Sequence, residues 1–134
     1  MNTTQIGDIS EQRFILYCLQ HEIPVCRPIG NNLPYDFIID FQGKLLKIQV
    51  KTAYPKSNSI TDVWTFNTRS CSKNYTEVTN HNYVGLIDYF AVVRQDREEI
   101  IFVSIGKATK GSMNICYEEY SRPNQNHYKD FILF

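Results

Sequence analysis

The alternation of polar and apolar residues is most regular between residues 34 and 51, where it predicts a β-hairpin. The two alternating runs flank Gln42 and Gly43, a pair that is typical of a tight turn. With these two residues in the loop, Asp36 lies directly opposite Gln49 in the predicted strand pair. One face of the hairpin is apolar and is predicted to join the core; it consists of Tyr35, Phe37, Ile39, Phe41, Leu46, Ile48 and Val50.

The other face of the predicted hairpin is polar. Directly opposed residues project from one face with their Cβ atoms roughly 4.5–5.5 Å apart, so Asp36 and Gln49 are expected to be close neighbours. Lys51 lies two residues beyond Gln49 and therefore shares this face. A carboxylate, an amide and an ammonium group are thus predicted to converge, and together they could hold a metal ion and a water molecule.

The segment before the hairpin predicts an amphipathic helix from residue 7 to about residue 21. Asp8 is a suitable N-cap, and Glu11 follows at the spacing of a capping box. The apolar stripe of this helix is predicted to consist of Phe14, Ile15, Cys18 and Leu19. Glu11 lies on the same stripe. Two roles are therefore open for it, either capping the helix or reaching across the sheet toward Asp36.

The rest of the chain predicts strands joined by polar connections. Residues 24–28 favour a short edge strand because of their prolines, and further strands are predicted at 63–68, 86–93 and 99–105. The connection at 69–83 is long and polar, which indicates a functional or mobile segment, with room for a short helix. An exposed loop is also predicted at 52–60.

Composition places these elements in one domain. A chain of 134 residues with 43% hydrophobic residues is long enough for a single core, so we expect one domain spanning residues 1–134. The element order predicts the α+β class, with one mixed sheet of the α/β type. The apolar runs are too short to cross a membrane and the start lacks an apolar signal segment, so a cytoplasmic protein is expected. The apolar end of residues 112–134 is expected to pack on the body or on another subunit.

Cysteines and charge narrow the picture further. The four cysteines show no metal-type or redox-type pairing, and we expect reduced thiols. The formal net charge is zero, which argues weakly against a nucleic-acid partner. Residues 44–73, however, contain six basic residues and one acidic residue. This stretch is a candidate basic surface, and the alternative is an ordinary solvated face.

The polar face of the hairpin suits phosphodiester hydrolysis. Divalent metals stabilise the charge that develops in this reaction, and Mg²⁺ prefers carboxylate oxygens and water as ligands. Asp36 is the candidate main ligand, with the Gln49 amide oxygen and the Val50 carbonyl beside it. Lys51 could orient or deprotonate the attacking water, or stabilise the developing charge. Glu11 could complete the metal shell or hold a second metal.

Glu11, the run Pro34-Tyr35-Asp36 and the run Gln49-Val50-Lys51 resemble the motif of the PD-(D/E)XK nuclease superfamily, which has the restriction-endonuclease fold. In that fold a helix carries a Glu, and two adjacent strands carry the Asp and the (D/E)XK residues. Two positions depart from the pattern, since Tyr35 separates the Pro from the Asp and Gln49 replaces the acid. The resemblance is closer to the small cyanobacterial intron-encoded homing endonucleases of this superfamily, which have Gln in place of the acid.

The resemblance implies a site-specific DNA endonuclease that cuts both strands at a long target with Mg²⁺ or a similar ion such as Mn²⁺. It also implies assembly as a homotetramer, with a dimer as the alternative. A junction-resolving or restriction nuclease of the same fold is a second reading, and a DNA-binding module inactivated by Gln49 is a third. The plainest alternative is that Asp36 and Lys51 are ordinary sheet-face charges, with Asp40 pairing Lys47.

Double-stranded DNA is the expected partner, and its contacts should come from polar loops beside the active face. Such side chains reach phosphates and base edges, and each is expected to contact a phosphate or solvent more often than a base. The candidates are Lys56, Asn58, Arg69, Lys73, Asn74, Tyr75, Asn80, His81 and Asn82.

Overall fold

The structure is a computed structural model that describes residues 1–30, 32–57, 61–74, 77–119 and 125–133. Its elements are, in chain order, helix α1 (Thr3–Gln20), strands β1 (Val25–Cys26), β2 (Phe37–Phe41), β3 (Lys44–Thr52), β4 (Tyr54–Pro55), β5 (Val63–Asn67), β6 (Arg69–Asn74), β7 (Glu77–Asn82), β8 (Tyr89–Val93), β9 (Ile100–Ser104) and β10 (Ser112–Cys116), and a short 3-10 helix (Tyr128–Phe131).

Helix α1 begins earlier than its sequence pattern predicts. Asn2 is the N-cap, and its side chain accepts a hydrogen bond from the Gln5 N–H at 2.9 Å. The Gln5 side chain accepts one in return from the Asn2 N–H at 3.0 Å, which completes a capping box. The predicted N-cap at Asp8 is therefore wrong, and Glu11 lies inside the helix rather than at its end. Leu19 is also misplaced in the predicted apolar stripe, since 64% of it is exposed.

The predicted hairpin is confirmed in its turn and in most of its register. Gln42 and Gly43 both have positive φ, at 52° and 81°, as a tight turn between twisted strands requires. The ladder runs from the Phe41–Lys44 pair to the Phe37–Ile48 pair. It ends there, so the predicted pairing of the next two residues, 36 and 49, is not formed.

The central sheet has five strands in the order β1-β2-β3-β8-β9. Strand β3 runs parallel to β8, and the other pairs are antiparallel, so the sheet is mixed as predicted. The expectation of a single sheet is wrong. Strands β10, β5 and β4 form a second, three-stranded sheet, and β4 lies within the predicted loop at 52–60.

Strands β6 and β7 form a separate two-stranded ribbon. The ribbon occupies the connection at 69–83, for which the sequence allows a short helix. The β-branched residues Val78 and Thr79 favour extended backbone, and the antiparallel ladder satisfies the backbone hydrogen bonds of both strands.

Two hydrophobic cores cover the two faces of the central sheet. One lies under α1 and the other lies under the second sheet. Strand β8 contributes to both, because Ala91 packs in the first core and Phe90 in the second. Tyr35 packs against the second core, which corrects its assignment to the hairpin's core face.

Part of the segment 112–134 is built into the fold. Met113 and Ile115 of β10 are buried in the second core, and Phe131 of the 3-10 helix packs there too. Leu133 packs against the first core. A role of this segment in subunit contacts stays a prediction. Within the described ranges, no helix combines the length and hydrophobicity that a membrane span requires.

Candidate active site

The site forms where β2 stops short of β3. Beyond Phe37, strand β3 has no ladder partner on this side, and Asp36 takes its place. The Asp36 N–H donates to the Ile48 carbonyl at 2.8 Å, and its Oδ2 accepts a hydrogen bond from the Val50 N–H at 2.8 Å. Because the N–H and C=O of one strand residue point to the same side, the Val50 carbonyl also faces this open edge.

Glu11 reaches Asp36 from the helix. The two carboxyl groups lie within hydrogen-bonding reach of each other. The helix is held at this place by buried contacts next to Glu11, since the Ser10 hydroxyl lies 2.7 Å from the Thr52 hydroxyl and accepts a hydrogen bond from the Gln95 amide at 2.7 Å. The predicted approach of Glu11 to Asp36 is thus present in the structure, and the capping role is excluded.

The environment of the two carboxyl groups disfavours their full ionisation. Burial, followed by the charge of Asp36 and a hydrogen bond to it, raises the pKa of Glu11 to about 7. Burial also raises the pKa of Asp36, against the opposing effects of the Val50 N–H, Glu11, Lys51 and Arg27. Near pH 7 the pair is therefore partly protonated, and a bound cation could replace the proton.

Lys51 lies on the opposite side of β3 from the buried Val50, together with Gln49. Its Nζ donates to the Arg69 carbonyl at 3.1 Å and to the Tyr83 hydroxyl at 3.4 Å. Its charge lowers the pKa of Asp36, so the ammonium and the carboxylate act on each other. Gln49 is half-buried and precedes Lys51 by two residues on the same strand.

The donor set fits a divalent cation, with two carboxylates close together at the open edge and the Val50 carbonyl beside them. In the part of the chain that the structure describes, no group of three or more His, Cys, Asp or Glu side chains could hold a metal. Glu11 and Asp36 would therefore need neutral oxygens, those of Val50 and Gln49, to complete a shell.

Sequence reasoning missed two residues of the site. Arg27 follows the edge strand β1, and its Cζ lies 5.3 Å from the centre of the Phe37 ring. Its charge lowers the pKa of both Glu11 and Asp36. The pairing of β1 with β2 could have placed Arg27 beside Phe37, but no local signal marks Tyr83 as a partner of Lys51.

A groove of about 690 Å³ opens beside Lys51. The Arg69 side chain lies along it and packs on Gly111, where an added Cβ would meet the guanidinium Nε at 3.4 Å. The lining combines polar and apolar surface and includes Gly7, Val50, Lys51, Thr52, Tyr54, Thr65, Phe66, Asn67, Arg69, Gly111 and Ser112. The groove thus joins the carboxylate edge to the base of the β6–β7 ribbon.

The predicted DNA contacts divide by position. Lys56 and Arg69 are exposed, and Arg69 is in the groove. The ribbon backbone carries Lys73, Asn74, Asn80, His81 and Asn82, whose side chains lie outside the described part of the structure. Asn58 and Tyr75 lie outside the described residues.

Comparison with known proteins agrees with this geometry. The family model for the PD-(D/E)XK endonuclease matches residues 1–132. Among solved structures, the fold is similar to that of a bacterial homing endonuclease, I-Ssp6803I, with a TM-score of 0.79 and 20% sequence identity over 98% of this chain and 88% of that chain. No curated protein sequence matches the chain. The predicted restriction-endonuclease-like fold is thereby confirmed.

Proposed function

The chain belongs to the PD-(D/E)XK endonuclease family, and on that premise we propose that it is a metal-dependent, site-specific DNA endonuclease of the homing type. The observation that carries this proposal is the Glu11–Asp36 pair at the open edge of β3, with Lys51 beside it. Two carboxylates that can hold a cation, next to an ammonium in a fixed position, are an arrangement suited to phosphodiester hydrolysis. The similar fold of a homing endonuclease supports the finer assignment.

Asp36 and Glu11 would hold Mg²⁺ or Mn²⁺, with the Val50 carbonyl and the Gln49 amide oxygen as neutral ligands. When bound, the ion supplies positive charge to the phosphodiester as negative charge develops on its oxygens. The Val50 N–H fixes the orientation of the Asp36 carboxylate before any ion arrives. This preorganisation lowers the cost of assembling the site.

Lys51 acts on the reacting groups from the side of β3 that is opposite to the Val50 side chain. Its ammonium is held by two oxygen atoms, so its position beside Asp36 is restricted. From there it orients the attacking water and stabilises the charge that develops on the phosphate. The adjoining groove, which Arg69 lines, accepts the DNA backbone next to the cut.

The ribbon β6–β7 is suited to reading the duplex, since a two-stranded ribbon fits the major groove of B-DNA. A domain of this size contacts few base pairs, and a long target therefore requires several copies of the chain. We expect a homotetramer, with a dimer as the alternative, and contacts through residues 112–134. Analytical ultracentrifugation checks this, and a monomer at working concentration would contradict it.

Cleavage of a library of duplex targets with Mg²⁺ tests the proposal. Wild type should cut a subset of targets, and Lys51→Ala should lower the rate roughly 10²- to 10⁴-fold, as loss of a proton-transfer or charge-stabilising group does. Asp36→Asn should be at least as defective, because the main ligand loses its charge. Lys44→Ala removes an exposed lysine of the same strand and should cut normally.

Gln49 favours a second candidate function, because it leaves the site one acid short of the family motif. On this reading the chain binds DNA without cutting it. Retained binding to a duplex by wild type, with no cleavage at any target in Mg²⁺ or Mn²⁺, would replace the first function by this one.

A further inference from the structure

We propose that the base of the β6–β7 ribbon positions Lys51, through the Tyr83 hydroxyl and the Arg69 carbonyl, and so ties the lysine to the DNA-reading element. The inference rests on the proposed function, which gives Lys51 its role in hydrolysis. Tyr83 is a positioning residue here, since it acts on the reaction through Lys51. The sites that the family motif predicts include neither of these two contacts.

Two hydrogen bonds of the Lys51 ammonium come from one place in the fold. Arg69 opens strand β6 and pairs with Asn82, which closes β7, and this pair is the last one at the base of the ribbon. Tyr83 directly follows Asn82. The Arg69 carbonyl lies 3.1 Å from the Lys51 Nζ, and the Tyr83 hydroxyl lies 3.4 Å from it. The Lys51 ammonium is therefore held between the first residue of β6 and the residue that follows β7.

Tyr83 also contacts the Lys51 ammonium through its aromatic ring. The Lys51 Nζ lies 5.1 Å from the centre of the Tyr83 ring, within range of a cation–π interaction. The ring is 5% exposed and packs edge-on against Phe90, with ring centres 5.4 Å apart at an angle of 90°. Phe90 pairs with Gln49 across the β3–β8 ladder, so Tyr83 is fixed to the same strands that carry the site.

The start of β6 at the ribbon base is also fixed to the rest of the fold. The Arg69 N–H donates to the Asn67 side-chain oxygen at 2.7 Å. The Thr68 N–H donates to the Gly111 carbonyl at 3.1 Å, and the Arg69 guanidinium packs on Gly111. Beyond this base, β6 and β7 pair with no other strand that the structure describes.

This arrangement gives the ribbon two roles. Its free part is available to DNA, and its anchored part holds the group that acts on the phosphate. A DNA duplex that binds the ribbon therefore contacts the same element whose base positions the Lys51 ammonium. Loss of the Tyr83 contact should reduce turnover more than it reduces DNA binding.

Tyr83→Phe tests the inference, because it removes the hydroxyl and keeps the ring on Phe90. Loss of one positioning contact should lower kcat for Mg²⁺-dependent cleavage of a supercoiled plasmid carrying a cleavable target roughly 10- to 100-fold. KM and the Kd for the same DNA should stay near the wild-type values. Tyr89→Phe is the matched control, since Tyr89 packs against the first core away from Lys51, and its kcat should be normal.

A second measurement does not depend on nuclease activity. Acetylation of Lys51 by acetic anhydride, followed by mass spectrometry with Lys44 as the internal reference, reports how firmly the ammonium is held. Tyr83→Phe should increase Lys51 acetylation severalfold, and Tyr89→Phe should leave it unchanged.

The two readouts separate failure of the inference from failure of the proposed function. If wild type cuts no DNA but the Tyr83→Phe protein still shows faster Lys51 acetylation, the nuclease assignment fails and the positioning of Lys51 stands. If Tyr83→Phe has wild-type acetylation, the inference is overturned, whether or not the protein cleaves DNA. An equal loss of kcat in Tyr89→Phe would also overturn it.

Discussion

Two groups of charged side chains lie at the same end of the central sheet, where β3 and β8 finish, and they are built in opposite ways. In the first, Arg94 is only 5% exposed and pairs with Asp96 at 2.8 Å and with Asp62 at 3.2 Å. Its guanidinium lies 3.9 Å from the Trp64 ring centre and 4.4 Å from that of Tyr117. Every charge in this group has an opposite charge or an aromatic face beside it.

The second group is the Glu11–Asp36 pair, in which two acidic side chains are brought together. Burial raises the pKa of both carboxyl groups, and the neighbouring cations only partly offset this. Pairing of opposite charges satisfies the first group within the fold, whereas the two carboxyl groups held together make the second group the candidate ligand site.

Arg94→Ala should have the largest effect on stability. It removes a buried guanidinium that fills the space between two aromatic rings, and we expect the free energy of unfolding to fall by about 3 kcal/mol. Arg97→Ala is the control, because Arg97 is 34% exposed and pairs mainly with Glu99 at 2.7 Å. Its loss should cost about 1 kcal/mol or less. Urea unfolding checks both, and equal losses would refute the contrast.

Mg²⁺ should stabilise the protein through the carboxylate pair. At a concentration tenfold above Kd, binding to the folded state alone adds about 1.4 kcal/mol to the free energy of unfolding. Asp36→Asn should abolish this gain. Differential scanning calorimetry with and without Mg²⁺ measures it, and the same stabilisation in Asp36→Asn would place the ion elsewhere.

Gln49→Glu should sharpen the contrast by restoring the acid of the family motif. A third carboxylate increases the charge attracting the ion, and half-maximal stabilisation should need on the order of tenfold less Mg²⁺. Without metal, the same variant should be less stable than wild type at pH 8, because a third carboxylate is added close to Glu11 and Asp36. Gln49→Asn keeps the amide and serves as the control, with no gain in affinity expected.

The effect of Glu11→Gln on stability should depend on pH. The pKa of Glu11 rises from its ordinary 4.5 to about 7, so the folded protein holds this proton more tightly than the unfolded chain. Its contribution is complete below pH 4.5 and is lost as the pH rises to 7 and above. In EDTA, Glu11→Gln should therefore gain stability relative to wild type between pH 4.5 and pH 8, as urea unfolding measures. A constant difference across this range would contradict the shift.

The sequence by itself determined the hairpin and the residues that face one another across it. Alternation with a period of two and a Gln42-Gly43 turn leave one register, which the structure confirms from Phe41–Lys44 to Phe37–Ile48. The same pattern brought Asp36 and Lys51 to one strand edge. These signals are local, so they can be identified without knowing any distant contact.

Local signals failed where two of them competed. Asn2–Gln5 and Asp8–Glu11 both have the spacing of a capping box, and the earlier pair starts the helix. The division of the strands among separate sheets also leaves no local signal, since an alternating strand such as β5 has the same pattern in either of the two larger sheets.

Only the tertiary structure decided what makes this edge a candidate active site. The approach of Glu11 to Asp36 depends on how the helix docks, and the pKa of Glu11 depends on burial that no sequence pattern records. Tyr83 reaches Lys51 because β3 and β8 lie side by side and Tyr83 packs on Phe90 of β8. Contacts between distant segments set the desolvation and the geometry of these side chains, and both determine what chemistry the residue types can perform.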